Sequence, residues 1–109
     1  MAKSVIDYHK LVRDKIPGII ESSGKQCKVS TLDHDTYIFM LDEKLNEELN
    51  EYQESKSLEE LADLLEVIMA VARARGSSFE EIESIRVEKA LKRGRFEKRI
   101  LLEEVTSYE

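Results

Sequence analysis

Between residues 35 and 94 the apolar positions recur every three or four residues, the period of helices that bury one face. The pattern predicts three long helices. The first runs from about Asp35 to about Glu54, with Ile38, Leu41, Leu45, Leu49 and Tyr52 on one arc. The second runs from Ser57 to about Arg75 and is closed by Gly76. Its arc is Leu61, Leu64, Leu65, Ile68, Val71 and Ala72. The third starts at Ser78 and ends at Gly94. Ser57-Leu-Glu-Glu60 and Ser78-Phe-Glu-Glu81 both have the spacing of a capping box. Upstream, "RDKIPGIIESSGK" predicts a short helix capped by Asp14, with Pro17 in its first turn and Gly24 at its end. "QCKVSTL" (residues 26–32) alternates weakly and suits a short extended segment. The tail "RFEKRILLEEV" has no helix start signal, and its β-compatible run is expected to lie extended against the N-terminal segment. The expectation is one all-α domain over residues 1–109, a helical bundle with short extended terminal segments.

The acids disturb this pattern. At about 100° per residue, Glu48 projects between Tyr37 and Leu41, on the edge of the first apolar arc. Glu51 stands beside it, three residues on. On the second helix Glu60 projects between Val67 and Val71, and Asp63 follows at the same spacing. Each helix of the hairpin thus carries an acid pair on the rim of its buried face. Four converging carboxylates repel and raise one another's pKa, and a hard divalent cation such as Mg²⁺ relieves that repulsion. The plain alternative is a solvated acidic face, with Glu60 serving only as the reciprocal member of its capping box.

Composition narrows the partners. The net charge of −6 argues against a polynucleotide partner, which selects a basic face. A phosphorylated small molecule would then bind through metal ions or a local cationic patch. Two patches qualify: Lys10, Arg13 and Lys15 in "HKLVRDKIP", and Arg86, Lys89 and Arg93 on one stripe of the third helix. Cys27 is the only cysteine, so an internal disulfide is impossible and a cysteine-based zinc site is unsupported; the thiol is expected as a small buried hydrophobe. His9 and His34 read as surface or packing residues. Tyr8 and Phe96 flank the basic end motifs, where they either pack the termini together or stack a nucleobase. No apolar run is long enough to span a bilayer and "MAKSVIDYHK" has no hydrophobic signal core, so a cytoplasmic protein is expected. A small core with so much charge makes a monomer marginal. Phe39, Met40 and Met69 lie off the main arcs, and a homodimer or a dimer of dimers packed helix to helix is expected.

"EELNE" followed by "EELAD" resembles the E-E-x-x-E … E-x-x-D signature of the all-α nucleoside triphosphate pyrophosphohydrolases, the MazG-like and phosphoribosyl-ATP pyrophosphohydrolase-like group. "YHKLVRDKIPGIIESSGK" and "KALKRGRFEKRILL" resemble the two ends of one bacterial and archaeal subgroup, so the likeness covers nearly the whole chain. The resemblance implies a MazG-like helical bundle, dependence on Mg²⁺, and hydrolysis of a nucleotide to a monophosphate and pyrophosphate. It implies dimers or dimers of dimers with sites at helix interfaces. It makes Glu48, Glu51, Glu60 and Asp63 the metal ligands, with Glu47 filling the first acid of the signature. The gap between Glu51 and Glu60 is short for the group, which implies a tight hairpin without a large base-binding lid. On this reading Glu47 or Glu66 accepts the proton of the attacking water, and Lys10, Arg13, Lys15, Lys89 and Arg93 neutralise the pyrophosphate. Phosphoribosyl-ATP as the substrate, and a non-catalytic helical module that dimerises and binds a partner through its acidic face, stay open beside it.

Overall fold

Side-chain caps decide where three of the four helices begin. In the computed structural model, which describes residues 4–108, these are α1 (Ile16–Ser22), α2 (His34–Ser55), α3 (Leu58–Ala74) and α4 (Phe79–Arg93), with no strand among the described residues. Ser57 Oγ accepts from the N–H of Glu60 at 3.3 Å, and Ser78 Oγ accepts from that of Glu81 at 3.1 Å. Asp33, unrecognised in the sequence, caps α2 by accepting from the N–H of Thr36 at 2.8 Å, which moves the helix start to His34. Its carboxyl is held below the usual range by those hydrogen bonds from Thr36.

Asp14 does not cap α1. Lys15 occupies the N-cap position with no side-chain hydrogen bond. The reason is local: a cap at Asp14 would put Pro17, which has no N–H, at the third helical position where the cap seeks a donor.

The hairpin turn is as tight as expected. Lys56 ends α2 in the left-handed conformation, its N–H bonded to Tyr52 O at 2.7 Å, and α3 begins two residues later. α2 packs along α3, α4 touches α3 more lightly, and α1 packs on none of them. The buried apolar residues are Leu41, Val67 and Ala72. The face that α3 turns to α2 is therefore rolled toward Glu60 and Val67. Leu61 and Leu65, expected on the buried arc, stand exposed instead, as does Leu49 on α2. The roll leaves the α2–α3 hairpin with an uncovered apolar surface that also includes Phe39.

The ends of the chain do not pair. Residues 26–32 and 95–108 contain no regular structure, and Val5, Tyr8, Phe96, Ile100, Leu101 and Leu102 are all exposed, Phe96 at 99 %. Among the described residues the tail thus stays exposed, and Tyr8 and Phe96 do not pack the end segments together. Cys27 is half-buried, its thiol donating to Pro17 O at 3.8 Å; His9 and His34 are exposed. No helix is long and apolar enough to cross a membrane.

The shape follows. The radius of gyration is 19.9 Å, against about 13 Å for a compact domain of this length. The accessible surface is 10374 Å², against about 6,200 Å² for a compact monomer of this mass.

Leu41 is the most deeply buried core residue, at 3 % exposure. Leu41→Ala is expected to lower the unfolding free energy by roughly 2–5 kcal/mol in urea titration. Ser57→Ala, which removes only a cap, should lower it by about 1 kcal/mol.

Candidate metal centre

Packing α2 on α3 closes the two acid pairs onto each other. One oxygen each from Glu48, Glu60 and Asp63 lie within 4.8 Å of one another, and the same holds for Glu47, Glu48 and Glu51. Glu48 belongs to both groups and joins them. It sits at 7 % exposure, as deep as the apolar core. Glu48 Oε2 and Glu60 Oε2 are buried without any hydrogen-bond partner.

The capping box that offered Glu60 a purely structural role is only half formed. Ser57 accepts from the N–H of Glu60, but its own N–H donates to Ser55 Oγ at 3.2 Å. The Glu60 carboxylate is not used at the helix start and turns into the acid ring.

The electrostatics match the geometry. Burial pushes the Glu48 carboxyl up to about 7, helped by the neighbouring carboxylates of Glu51 and Asp63 and opposed by Lys44. Glu60 is raised too, first by loss of solvent and then by Glu51, Asp63 and Glu59. The cations present stand at the edge of the ring. Lys44 Nζ lies 3.1 Å from Glu47 Oε2 and 3.7 Å from Glu48 Oε1. Lys10 Nζ lies 3.9 Å from Glu47 Oε1, and Arg13 Nη2 donates to Asp63 Oδ1 at 2.7 Å.

Of the residues singled out in the sequence, the structure thus brings together Glu47, Glu48, Glu51, Glu60, Asp63, Lys10 and Arg13. Glu66 is exposed and belongs to neither carboxylate group. Lys15, Lys89 and Arg93 form no ion pair among the described residues. Arg86 pairs with Glu83 within α4. Lys44 was missed in the sequence although its side chain is only 17 % exposed. Its spacing of three and four from Glu47 and Glu48 is the signal that identifies it.

Chemically the ring offers hard oxygen donors from two helices, charge that three peripheral cations offset only in part, and two buried oxygens lacking a proton donor. Magnesium takes such ligands, and Glu48, Glu51, Glu60 and Asp63 are the residues able to hold it. A shallow depression on α4, lined by Phe79, Glu80, Glu83, Ser84 and Val87, shares no residue with the ring. Compared with protein-family models, curated proteins and solved structures, the chain finds no match.

The raised Glu48 pKa has a definite sign in stability. The folded protein holds this proton more tightly than the unfolded chain, so metal-free stability should fall as pH rises from about 5 to about 7 and level off above. Glu60, shifted the same way, adds to the slope. Glu48→Gln imitates the protonated form. Urea midpoints in chelator should show a shallower decline for Glu48→Gln and higher stability than the parent at pH 7.5.

Proposed function

We propose that the chain is a Mg²⁺-dependent nucleotide pyrophosphohydrolase that cleaves a nucleoside triphosphate, or a related nucleotide, to a monophosphate and pyrophosphate. The observation that carries this reading is the pair of buried, partnerless oxygens on Glu48 and Glu60 inside a ring of five carboxylates, Glu47, Glu48, Glu51, Glu60 and Asp63. A merely solvated face keeps its acids in water. These two oxygens are out of water and only partly compensated, by Lys44 beside Glu48, an arrangement that disfavours the ionised fold unless a proton or a cation completes it. The sequence likeness of "EELNE … EELAD" to the pyrophosphohydrolase signature supports the same assignment.

Glu48, Glu51, Glu60 and Asp63 would hold the ion, and Mg²⁺ bound there supplies charge neutralisation at the phosphate oxygens and a more acidic water. The chain's own residues do the rest. A water oxygen bonds to phosphorus, the bridging P–O bond breaks, and pyrophosphate leaves with the bond electrons. Of the two carboxylates considered as proton acceptor, Glu47 stands in the ring and Glu66 outside it, so Glu47 is assigned that role. Lys10 and Arg13, already beside the acids, are placed to meet the departing phosphates. Lys15, Lys89 and Arg93 remain phosphate candidates that have no contact at the ring.

Self-association belongs to the same proposal. The accessible surface exceeds that of a compact monomer by about 4,000 Å² per chain, more than the roughly 1,000–2,500 Å² that each partner of an obligate dimer commonly buries. The exposed Phe39, Leu49, Leu61 and Leu65 supply apolar area for it. A homodimer or a dimer of dimers is expected by light scattering at micromolar concentration; a monomeric mass would refute this part.

A screen of nucleoside triphosphates and phosphoribosyl-ATP, with pyrophosphate release measured in Mg²⁺, tests the activity and identifies the substrate. Glu51→Gln and Asp63→Asn should each reduce the rate at least a hundredfold, because each removes charge from the ring while keeping its shape. In chelator neither should be less stable than the parent. Parent-like activity in both variants would defeat the mechanism.

A further inference from the structure

Residues 4–13 approach α1 without regular structure, and over residues 4–15 Leu11 alone is not exposed. Its neighbours Lys10 and Arg13 reach opposite helices of the hairpin: Lys10 to Glu47 on α2, Arg13 to Asp63 on α3. Since α1 packs on none of the other helices, these two ion pairs carry the segment to both helices that supply the acid ring. The Arg13 side chain is 59 % exposed. A pair so open to water adds little to the fold, so its exchange for another partner is easy.

Beside this segment the positive charge is incomplete: Lys44 Nζ stands 3.7 Å from Glu48 Oε1, but Glu48, with its side chain nine-tenths buried, keeps an unpartnered Oε2. We infer that Arg13, as a phosphate-binding residue, couples the divalent cation to the phosphate, so that the site takes metal and phosphate together rather than metal first. The inference rests on the metal centre proposed above. A dication entering the ring competes with the guanidinium for Asp63 and is repelled by it. Arg13 therefore opposes the metal when it comes alone. When a pyrophosphate group accompanies the metal, the displaced guanidinium gains a bidentate anionic acceptor, which suits its planar fork. Each ligand then raises the affinity for the other by the same factor.

The full chain can be titrated with Mg²⁺ by calorimetry, alone and with a fixed concentration of pyrophosphate. The proteins are the parent, Arg13→Gln, Arg13→Lys and Arg75→Gln. Arg75 pairs with Asp42 and lies about 18 Å along α3 from Asp63, so it controls for loss of one positive charge elsewhere. Magnesium pyrophosphate forms in solution equally for all four proteins and cancels in the comparison. Arg13→Gln should bind Mg²⁺ alone about fivefold more tightly than the parent and lose a similar factor of the enhancement by pyrophosphate. Arg13→Lys should fall between them, and Arg75→Gln should match the parent. Unchanged or weaker Mg²⁺ affinity in Arg13→Gln overturns the coupling and leaves the metal centre standing. So does a gain in metal affinity with the pyrophosphate enhancement intact, or an equal change in Arg75→Gln. Failure of the parent to bind Mg²⁺ in either condition removes the metal centre and the coupling with it.

Discussion

Carboxylate repulsion inside the α2–α3 hairpin is the constraint on which the rest of the molecule turns. Two helices joined by a two-residue connection must lie side by side, and the row of α3 that meets α2 contains Glu60 as well as Val67. Apolar contact around Leu41 and Val67 holds the helices together; the acids beside that contact push them apart. Burial intensifies the conflict, because the carboxylates lose the solvent that would screen them, and the Glu48 carboxyl rises to about 7 in consequence. The surrounding cations answer this stress only partly: Lys10 and Arg13 each take one oxygen and Lys44 takes two, and Oε2 of Glu48 and of Glu60 is left without a partner.

The same roll of α3 explains the outer surface. Turning Glu60 and Val67 inward turns Leu61 and Leu65 outward, so the residue set that brings the acids together also creates an apolar exterior. Among the described residues three apolar side chains are buried, and the accessible surface is far above that of a compact domain, so most of the apolar content stands outside the core. The exposed tail from Phe96 onward belongs to the same pattern.

Much of this was legible in the residues. Serine caps at 57 and 78, glycines after α3 and α4, and the three-to-four period placed α2, α3 and α4 within a residue or two. The spacing of three within each acid pair also placed Glu48 beside Glu51 and Glu60 beside Asp63, because a helix makes such neighbours by itself. Less visible were Asp33 as a cap, since Asp35 offered an equally good start, and Lys44, which reads as one more surface lysine until its carboxylate neighbours are known to be buried.

The sequence by itself determined the helices, their order and the faces on which the acids sit, because these depend on hydrogen bonds and side-chain spacing within a few residues. Only the tertiary structure decided which part of each face would be buried. Helix rotation responds to the summed packing of both partners, so the apolar arc of α3 rolled toward Glu60 and left Leu61 outside. Tertiary structure also decided that Arg13 reaches Asp63, fifty residues away, a contact no local period encodes. The burial of Glu48 has the same origin: a glutamate at the rim of one helix loses its water only when the second helix covers it.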